Sequence, residues 1–153
     1  MMINKQQIPT KLFWVDLEMT GLDSDKDVII EVAAEITDFN FKTVANYEAV
    51  VRQPHDLVVR QMAKGGWWRN FPESRDDILS KLANGKEPKE VEDDLIKLVS
   101  GHFGNEHAIL AGNSIHNDRR FIAKAWPELD LKLHYRMLDV SALKFRPAFF
   151  NSK

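Results

Sequence analysis

The chain of 153 residues contains no cysteine. This absence excludes disulfide bonds, thiolate zinc sites and cysteine nucleophiles, and it makes a cytoplasmic location the default expectation. The sequence also has no apolar run near the roughly 20 residues that a membrane-spanning helix needs. Its first residues, MMINKQQIPTK, lack the apolar stretch of a secretory signal. We therefore expect a cytoplasmic protein that does not bind membranes.

The chain also lacks an excess of positive charge. It has 21 Lys and Arg residues against 23 Asp and Glu residues, which gives a formal net charge of −2 at pH 7. Proteins that bind long nucleic acids usually carry a basic surface, because neutralisation of phosphates dominates their affinity. The charge balance argues against a protein that binds long duplexes. It is compatible with a very short substrate, which offers only a few phosphates.

Hydrophobic patterning predicts a single α/β domain. With 44% hydrophobic and 29% charged residues, a chain of this length can bury one core. Apolar, β-branched runs predict three strands in an antiparallel meander, and the chain then alternates between predicted helices and strands, which favours a mixed sheet. The predicted strands are 12–16, 28–39, 44–51, 108–111 and 136–140, and the predicted helices are 57–62, 75–82, 89–99 and 118–126.

Two acidic residues, Asp16 and Glu18, lie at the end of the first predicted strand. Residues two apart in a strand point to the same face, so the two carboxylates should lie side by side. That arrangement is unfavourable unless a positive charge lies between them. A hard divalent cation such as Mg²⁺ would supply this charge, because it prefers oxygen ligands and often takes only one or two protein carboxylates. A polar strand end beside a turn would explain the same two residues without a metal.

A second polar segment, GNSIHNDRRF at 112–121, follows a short predicted strand and begins a predicted helix. Asp118 in this segment could be a third acid near Asp16 and Glu18. It could also be an ordinary carboxylate that the helix dipole favours at an N-terminus. Ser114 could approach a phosphate through its hydroxyl or its backbone. The segment is therefore a candidate second half of a phosphate-binding or metal-binding site.

Three segments carry a more specific signal when they are taken together. They are FWVDLEMTGL at 13–22, GNSI at 112–115 with DRRF at 118–121, and HYR at 134–136 with LDVS at 138–141. In this order they resemble the oligoribonucleases, which are DEDD-type exonucleases with an RNase H-like fold. The similarity covers 11–143. It implies one exonuclease domain over 1–153 that hydrolyses short RNA from the 3′ end to 5′-mononucleotides and so takes part in RNA degradation.

The resemblance implies a metal-dependent mechanism. Asp16, Glu18 and Asp118 would match three of the four acids that hold metal ions in this family. Two Mg²⁺ or Mn²⁺ ions per active site would bind the scissile phosphate, activate the attacking water and stabilise the leaving 3′ oxygen. Asp16, Glu18 and Asp118 are thus both the expected catalytic residues and the expected metal ligands.

The resemblance also implies residues that contact short single-stranded RNA, down to dinucleotides. Leu22 would be a wedge between the last two bases, and Trp67 or Trp68 would stack on a terminal base. Ser114 would contact a phosphate, and Tyr135 would reach into the active site of the partner subunit of a homodimer. Without the resemblance, Leu22 could pack on the core, the tryptophan pair could anchor a loop, and Tyr135 could be an ordinary half-buried tyrosine.

The sequence departs from the family near its end. The family continues to a His-x-x-x-x-Asp motif that supplies a general base and the fourth acid, whereas no histidine follows His134 and no acid follows Asp139 here. General base catalysis contributes typically about 10²- to 10⁴-fold in rate. We therefore expect either a weak or inactive nuclease or a domain truncated at its C-terminus from a competent parent. The alignment is also unclear over 62–74.

Two other functions remain open. One is a DNA-directed DEDD exonuclease, such as a proofreading enzyme. The other is a catalytically impaired module that only binds oligonucleotides. Leu22 and the LDVS segment favour short RNA as the substrate. The presence of all three acids argues against a binding module, because carboxylates without a bridging cation would repel phosphate.

Overall fold

The computed structural model describes residues 9–145 of the chain. Within this range the chain forms five strands and six α-helices, with short 3₁₀ helices at Leu82–Asn84 and Val140–Phe145. In chain order these elements are β1 (Lys11–Met19), β2 (Ile29–Asp38), β3 (Thr43–Val50), α1 (His55–Lys64), α2 (Gly66–Asn70), α3 (Pro72–Lys81), α4 (Pro88–Phe103), β4 (Ala108–Gly112), α5 (Ile115–Ala125), α6 (Pro127–Asp130) and β5 (Leu133–Asp139).

The five strands form one mixed sheet in the order β3-β2-β1-β4-β5. The first three strands are an antiparallel meander, and β4 and β5 then run parallel to β1. This topology confirms the predicted α/β fold with a mixed sheet. One boundary differs in a way that concerns the site: β1 does not end at Asp16 but continues through Glu18 to Met19, so both acids lie inside the strand.

The hydrophobic core lies between one face of the sheet and helices α4 and α5. In β1 the odd-numbered residues Phe13, Val15 and Leu17 point into this core, where they meet buried residues such as Leu95 and Phe121. Full burial of one such side chain contributes about 1.5–3 kcal/mol. The alternation of β1 therefore turns its even-numbered side chains away from this core.

A second, smaller core cluster lies under α1–α3. It joins Ile30 of β2 to Val58 and Met62 of α1, and to Trp68 of α2. This cluster packs α2 against the C-terminal end of β1, because the Trp68 indole N–H donates a hydrogen bond to the carbonyl of Met19. None of the helices within 9–145 combines the length and the hydropathy that crossing a lipid bilayer requires. The cytoplasmic location stays a prediction.

The face of the sheet opposite the main core is open over β1–β3. Trp14 and Asp16 of β1 line a cavity of about 540 Å³ there, together with Glu35 of β2 and Glu48 of β3. Gly112 and Asn113 at the end of β4 border the same cavity. Residues 146–153 lie outside the described residues. The prediction that the chain lacks the terminal His-x-x-x-x-Asp motif of the family is therefore not tested by the structure.

Candidate active site

The three acids predicted from the sequence lie around the C-terminal half of β1. Asp16 and Glu18 lie on one face of the strand, as the alternation predicts. Asp118 comes from the first turn of α5, and its Oδ1 accepts a hydrogen bond of 3.0 Å from the backbone N–H of Leu17. Because Leu17 is the residue between the other two acids, the carboxylate of Asp118 lies against the same short stretch of backbone.

The path from β4 into α5 explains this convergence. Strand β4 pairs in parallel with β1 beside Phe13 and Trp14, so its C-terminal end lies next to the acids. Gly112 ends β4, and a Cβ at this position would lie 2.8 Å from the carbonyl oxygen of Val15. Only glycine permits this approach without a shift of the backbone. The close approach brings α5, and Asp118 with it, over β1.

A tight turn at Asn113 and Ser114 connects β4 to α5. Ser114 has left-handed backbone angles (φ 53°, ψ 39°) and its hydroxyl makes no capping hydrogen bond to the helix. Its backbone N–H donates a hydrogen bond of 2.9 Å to Oδ1 of Asp139, the last residue of β5. The structure therefore places Ser114 at the start of α5, four residues before Asp118.

Burial and the neighbouring acids raise the proton affinity of Asp118 and Glu18. Burial raises the pKa of Asp118 to about 6, and the charge of Asp16 adds to the rise, while the N–H of Leu17 opposes it. The pKa of Glu18 is also raised, first by burial and then by the charges of Asp16, Glu31 and Asp118. No lysine or arginine in the described residues forms a salt bridge with any of these acids. The cluster is therefore a focus of uncompensated negative charge.

This donor set fits a hard divalent cation. It consists of carboxylate oxygens, which Mg²⁺ and Mn²⁺ prefer, and a bound cation would remove the mutual repulsion. As the side chains are placed, no three His, Cys, Asp or Glu residues within 9–145 form a group that could hold one ion by themselves. Mg²⁺ does not need such a cage, since it usually keeps several waters and takes one or two carboxylates together with substrate phosphates.

Glu31 is an acid of this cluster that sequence reasoning missed. It lies directly opposite Glu18 in the antiparallel pairing of β1 and β2, and its charge contributes to the raised pKa of Glu18. Like charges in opposite positions of a sheet destabilise the pair unless a cation compensates them. The alternation of β2 is visible in the sequence, but the register that brings Glu31 to Glu18 is not.

A second cavity, of about 520 Å³, lies beside Glu18 at the end of β1. It is lined by residues of the loop that follows β1, including Leu22, and by the start of α2, including Trp67 and Trp68. The Leu22 side chain is 71% exposed and that of Trp67 is 50% exposed, whereas Trp68 is only 4% exposed. Apolar groups that stay open to solvent beside a charged site are candidates for ligand contact.

The structure distinguishes the two tryptophans, which the sequence left as alternatives. Trp68 is a core residue that packs with Ile30 and Met62 and bonds the Met19 carbonyl. Trp67 faces the cavity, with its ring edge-on to Trp68 and 4.8 Å from the ring of Phe71. Both tryptophans lie on the short helix α2. Trp67 is therefore the tryptophan available for stacking.

Tyr135 does not join the acids within one chain. It lies on β5, an edge strand of the sheet, where its side chain is 71% exposed and its ring stacks on that of His134 at 4.5 Å. It borders neither of the two cavities described above. A contact between Tyr135 and an active site would therefore involve a second copy of the chain.

Comparison with known proteins shows the family of the chain. Residues 13–152 match the exonuclease family. The chain is 36% identical over 139 residues to an oligoribonuclease of Chromobacterium violaceum, covering 90% of this chain and 75% of the relative. It is 41% identical over 140 residues to an oligoribonuclease of Corynebacterium diphtheriae, covering 88% of this chain and 63% of the relative.

Solved structures show the same fold. A zinc-bound complex of Escherichia coli exonuclease I with single-stranded DNA superposes with a TM-score of 0.64 at 12% identity, over 94% of this chain and 31% of that chain. An exonuclease I of Methylocaldum szegediense gives a TM-score of 0.61 at 13% identity, with the same coverage.

The family match and the curated relatives define the class of protein: a nuclease from a family that depends on divalent metal ions. The chain belongs to the exonuclease family and, within it, to the oligoribonucleases. The family and the fold predicted from the sequence are therefore confirmed.

Proposed function

We propose that this protein is a 3′-to-5′ exoribonuclease that degrades short oligoribonucleotides to 5′-mononucleotides. One observation carries the proposal: the carboxylate of Asp118 accepts a hydrogen bond from the backbone N–H of Leu17, the residue between Asp16 and Glu18. The relationship to oligoribonucleases supports short RNA as the substrate. A net charge of −2 is consistent with a substrate that brings few phosphates.

Asp16, Glu18 and Asp118 would hold the metal ions, and we propose two Mg²⁺ or Mn²⁺ ions per site. When bound, these ions supply the Lewis acidity that activates water and stabilises the leaving 3′ oxygen. The protein contributes a set of oxygen ligands fixed on a buried strand and on a helix that packs against it. Asp118 must be deprotonated to act as a ligand, so its raised pKa couples metal binding to pH.

The cavity beside Glu18 would hold the 3′-terminal bases. Trp67 offers an exposed indole face for stacking, which is worth about 1–3 kcal/mol per base. Leu22, which is exposed and lines the same cavity, would separate the last two bases. Ser114 would contact a phosphate from the start of α5. These contacts would position the terminal phosphodiester against the three acids.

The open edge of β5 would be the surface at which two copies meet. Tyr135 is joined there by the partly exposed Met137 and Leu138. An edge strand with apolar side chains favours pairing with another chain. In such a homodimer Tyr135 would reach the partner subunit's active site. Light scattering tests the dimer, and an activity assay on Tyr135→Ala tests the role of Tyr135. We expect a dimeric wild-type protein and a lower turnover in the variant. A monomeric wild-type protein would contradict the proposal.

The enzymatic proposal is tested with a labelled RNA trinucleotide under single-turnover conditions, with enzyme in excess and Mg²⁺ or Mn²⁺ present. We expect stepwise release of 5′-mononucleotides from the 3′ end, abolished by EDTA and by Asp118→Asn. The matched control is Asp130→Asn, because the Asp130 carboxylate at the end of α6 accepts a hydrogen bond from Arg119 and makes none with the strand. Equal turnover by the wild-type protein and Asp118→Asn would contradict the proposal.

The same assay separates the alternatives. A DNA trinucleotide and a long single strand test for a DNA-directed exonuclease, and we expect short RNA to be degraded faster than either. Fluorescence titration of a labelled RNA dinucleotide tests for a module that only binds. Metal-dependent binding without any turnover in the described conditions would favour that module over the enzyme.

A further inference from the structure

We infer that Asp139 is a positioning residue of the active site, which holds the turn at Asn113 and Ser114 so that α5 delivers Asp118 to β1. The Asp139 carboxylate is neither one of the proposed metal ligands nor one of the proposed substrate contacts. It lies at the C-terminal end of β5, directly across from Gly112 in the parallel pairing of β4 and β5. The expected effect of Asp139 on turnover rests on the proposed function, whereas its expected effect on the position of Asp118 does not.

One oxygen atom of Asp139 collects three hydrogen bonds. Oδ1 accepts the backbone N–H of Ser114 at 2.9 Å, the backbone N–H of Ser141 at 2.9 Å and the Ser141 hydroxyl at 2.6 Å. The other oxygen, Oδ2, lies 3.5 Å from Nδ1 of His116 in the first turn of α5. A charged acceptor with several donors holds its partners more firmly than a neutral one. The carboxylate thus ties the end of β5 to the start of α5.

The backbone of Ser114 shows why this tie is needed. Its φ of 53° lies in the left-handed region, which is unfavourable for a residue with a Cβ atom. The Ser114 hydroxyl does not stabilise this conformation by capping the helix. The hydrogen bond from the Ser114 N–H to Asp139 does stabilise it. Without that acceptor the turn should relax toward ordinary angles, and the first turn of α5 should be redirected.

The relaxation would reach Asp118 without unfolding the helix. Asp118 lies four residues after Ser114, in the first turn of α5, and its carboxylate accepts a hydrogen bond from the Leu17 N–H. The body of α5 is anchored independently, because Phe121 and Ile122 are buried in the main core. A loosened turn should therefore displace the acid while the rest of the domain stays folded.

The test is a double-mutant cycle between Asp139→Ala and Ser114→Gly. Glycine adopts left-handed angles readily, so it removes the need for the tie. In the Ser114 background we expect Asp139→Ala to lower the turnover number on an RNA trinucleotide about 5- to 30-fold, the factor that corresponds to one left-handed residue. In the Ser114→Gly background the same change should cost no more than a few-fold. Equal losses in both backgrounds would overturn the inference.

A second readout does not depend on enzyme activity. In ¹⁵N-labelled, metal-free protein, the amide signals of Ser114 and Leu17 report the tie and the position of Asp118. We expect Asp139→Ala to shift both signals and to speed their hydrogen exchange. In the Ser114→Gly background the Leu17 signal should stay in place. A Leu17 amide that does not respond to Asp139→Ala would refute the positioning role.

Three further results complete the design. Asp139→Asn keeps an oxygen acceptor, so its turnover number and its Leu17 amide signal should lie between those of the wild-type protein and Asp139→Ala. It replaces the alanine variant if that variant fails to fold. Ser141→Ala removes one donor but leaves the Ser114 bond, so it should leave the Leu17 amide unchanged. If the Leu17 signal responds as expected while no form of the protein degrades RNA, the positioning role stands and the proposed function fails.

Discussion

Replacement of Asp118 by asparagine should stabilise the metal-free protein near neutral pH. The Asp118 side chain is only 7% exposed, and its burial raises its pKa from 3.8 to about 6. Asparagine keeps an oxygen that can accept the Leu17 N–H, and it carries no charge. The substitution therefore removes the cost of a buried negative charge while keeping the hydrogen bond that places the side chain.

The size and the pH range of this effect follow from the raised pKa. Because the folded protein binds the Asp118 proton more tightly than the unfolded chain, the resulting stability is fully present below about pH 3.8 and is lost as the pH rises through about 6. A difference of about 2 between the two pKa values corresponds to about 3 kcal/mol. The two proteins should be equally stable near pH 4, and Asp118→Asn should be more stable by about this amount at pH 7.

Urea denaturation in EDTA between pH 4 and pH 8 measures the difference. Asp94→Asn is a matched control of opposite sign, because Lys86 lowers the pKa of Asp94 and the loss of that carboxylate should destabilise the protein at neutral pH. Addition of Mg²⁺ should stabilise the wild-type protein and have little effect on Asp118→Asn. An Asp118→Asn variant that is less stable than the wild-type protein at pH 7 would contradict the expectation that the buried charge of Asp118 destabilises the folded, metal-free protein.

Four other substitutions test the account. Trp67→Ala should weaken dinucleotide binding by about 1–3 kcal/mol in a fluorescence titration without loss of stability, whereas Trp68→Ala should lower the free energy of unfolding by about 3–5 kcal/mol. Glu92→Gln should cost about 1 kcal/mol in urea denaturation, because a neutral amide oxygen would accept the two N–H groups at the start of α6 more weakly than the buried Glu92 carboxylate does. Gly112→Ala should lower the melting temperature and the turnover together, because its methyl group would meet the carbonyl of Val15. Unchanged dinucleotide binding by Trp67→Ala would contradict its role in stacking, and unchanged stability of any of the other three variants would contradict the packing described.

Much of the fold could be predicted because its signals are local. The apolar run of β1 and the β-branched run of β2 predicted the meander, the spacing of apolar residues predicted α4, and Pro127 marked the end of α5. The predicted end of β1 was three residues early, because the apolar run stops at Val15 and residues 17–19 join the strand through pairing with β2. Register and pairing are tertiary properties that local patterns do not encode.

The candidate site was predicted only in part, because strand register decides which of its acids lie side by side. Asp16, Glu18 and Asp118 stood out as acids near strand ends and helix starts, and the resemblance to oligoribonucleases joined them. Glu31 did not stand out, because only the register of β2 brings it to Glu18. The role inferred for Asp139 could not be read from its segment either, because its three hydrogen bonds join residues 25 positions apart and two positions apart.

The central claim is that divalent cations bridge Asp16, Glu18 and Asp118 to the end of an RNA chain. Its most direct test is a crystal of the protein grown with Mn²⁺ and an RNA dinucleotide, with anomalous diffraction recorded at the manganese edge. We expect anomalous peaks within bonding distance of these carboxylates and of a terminal phosphate oxygen, and none there in Asp118→Asn. Manganese peaks only elsewhere on the protein, with the dinucleotide bound away from the three acids, would contradict the account.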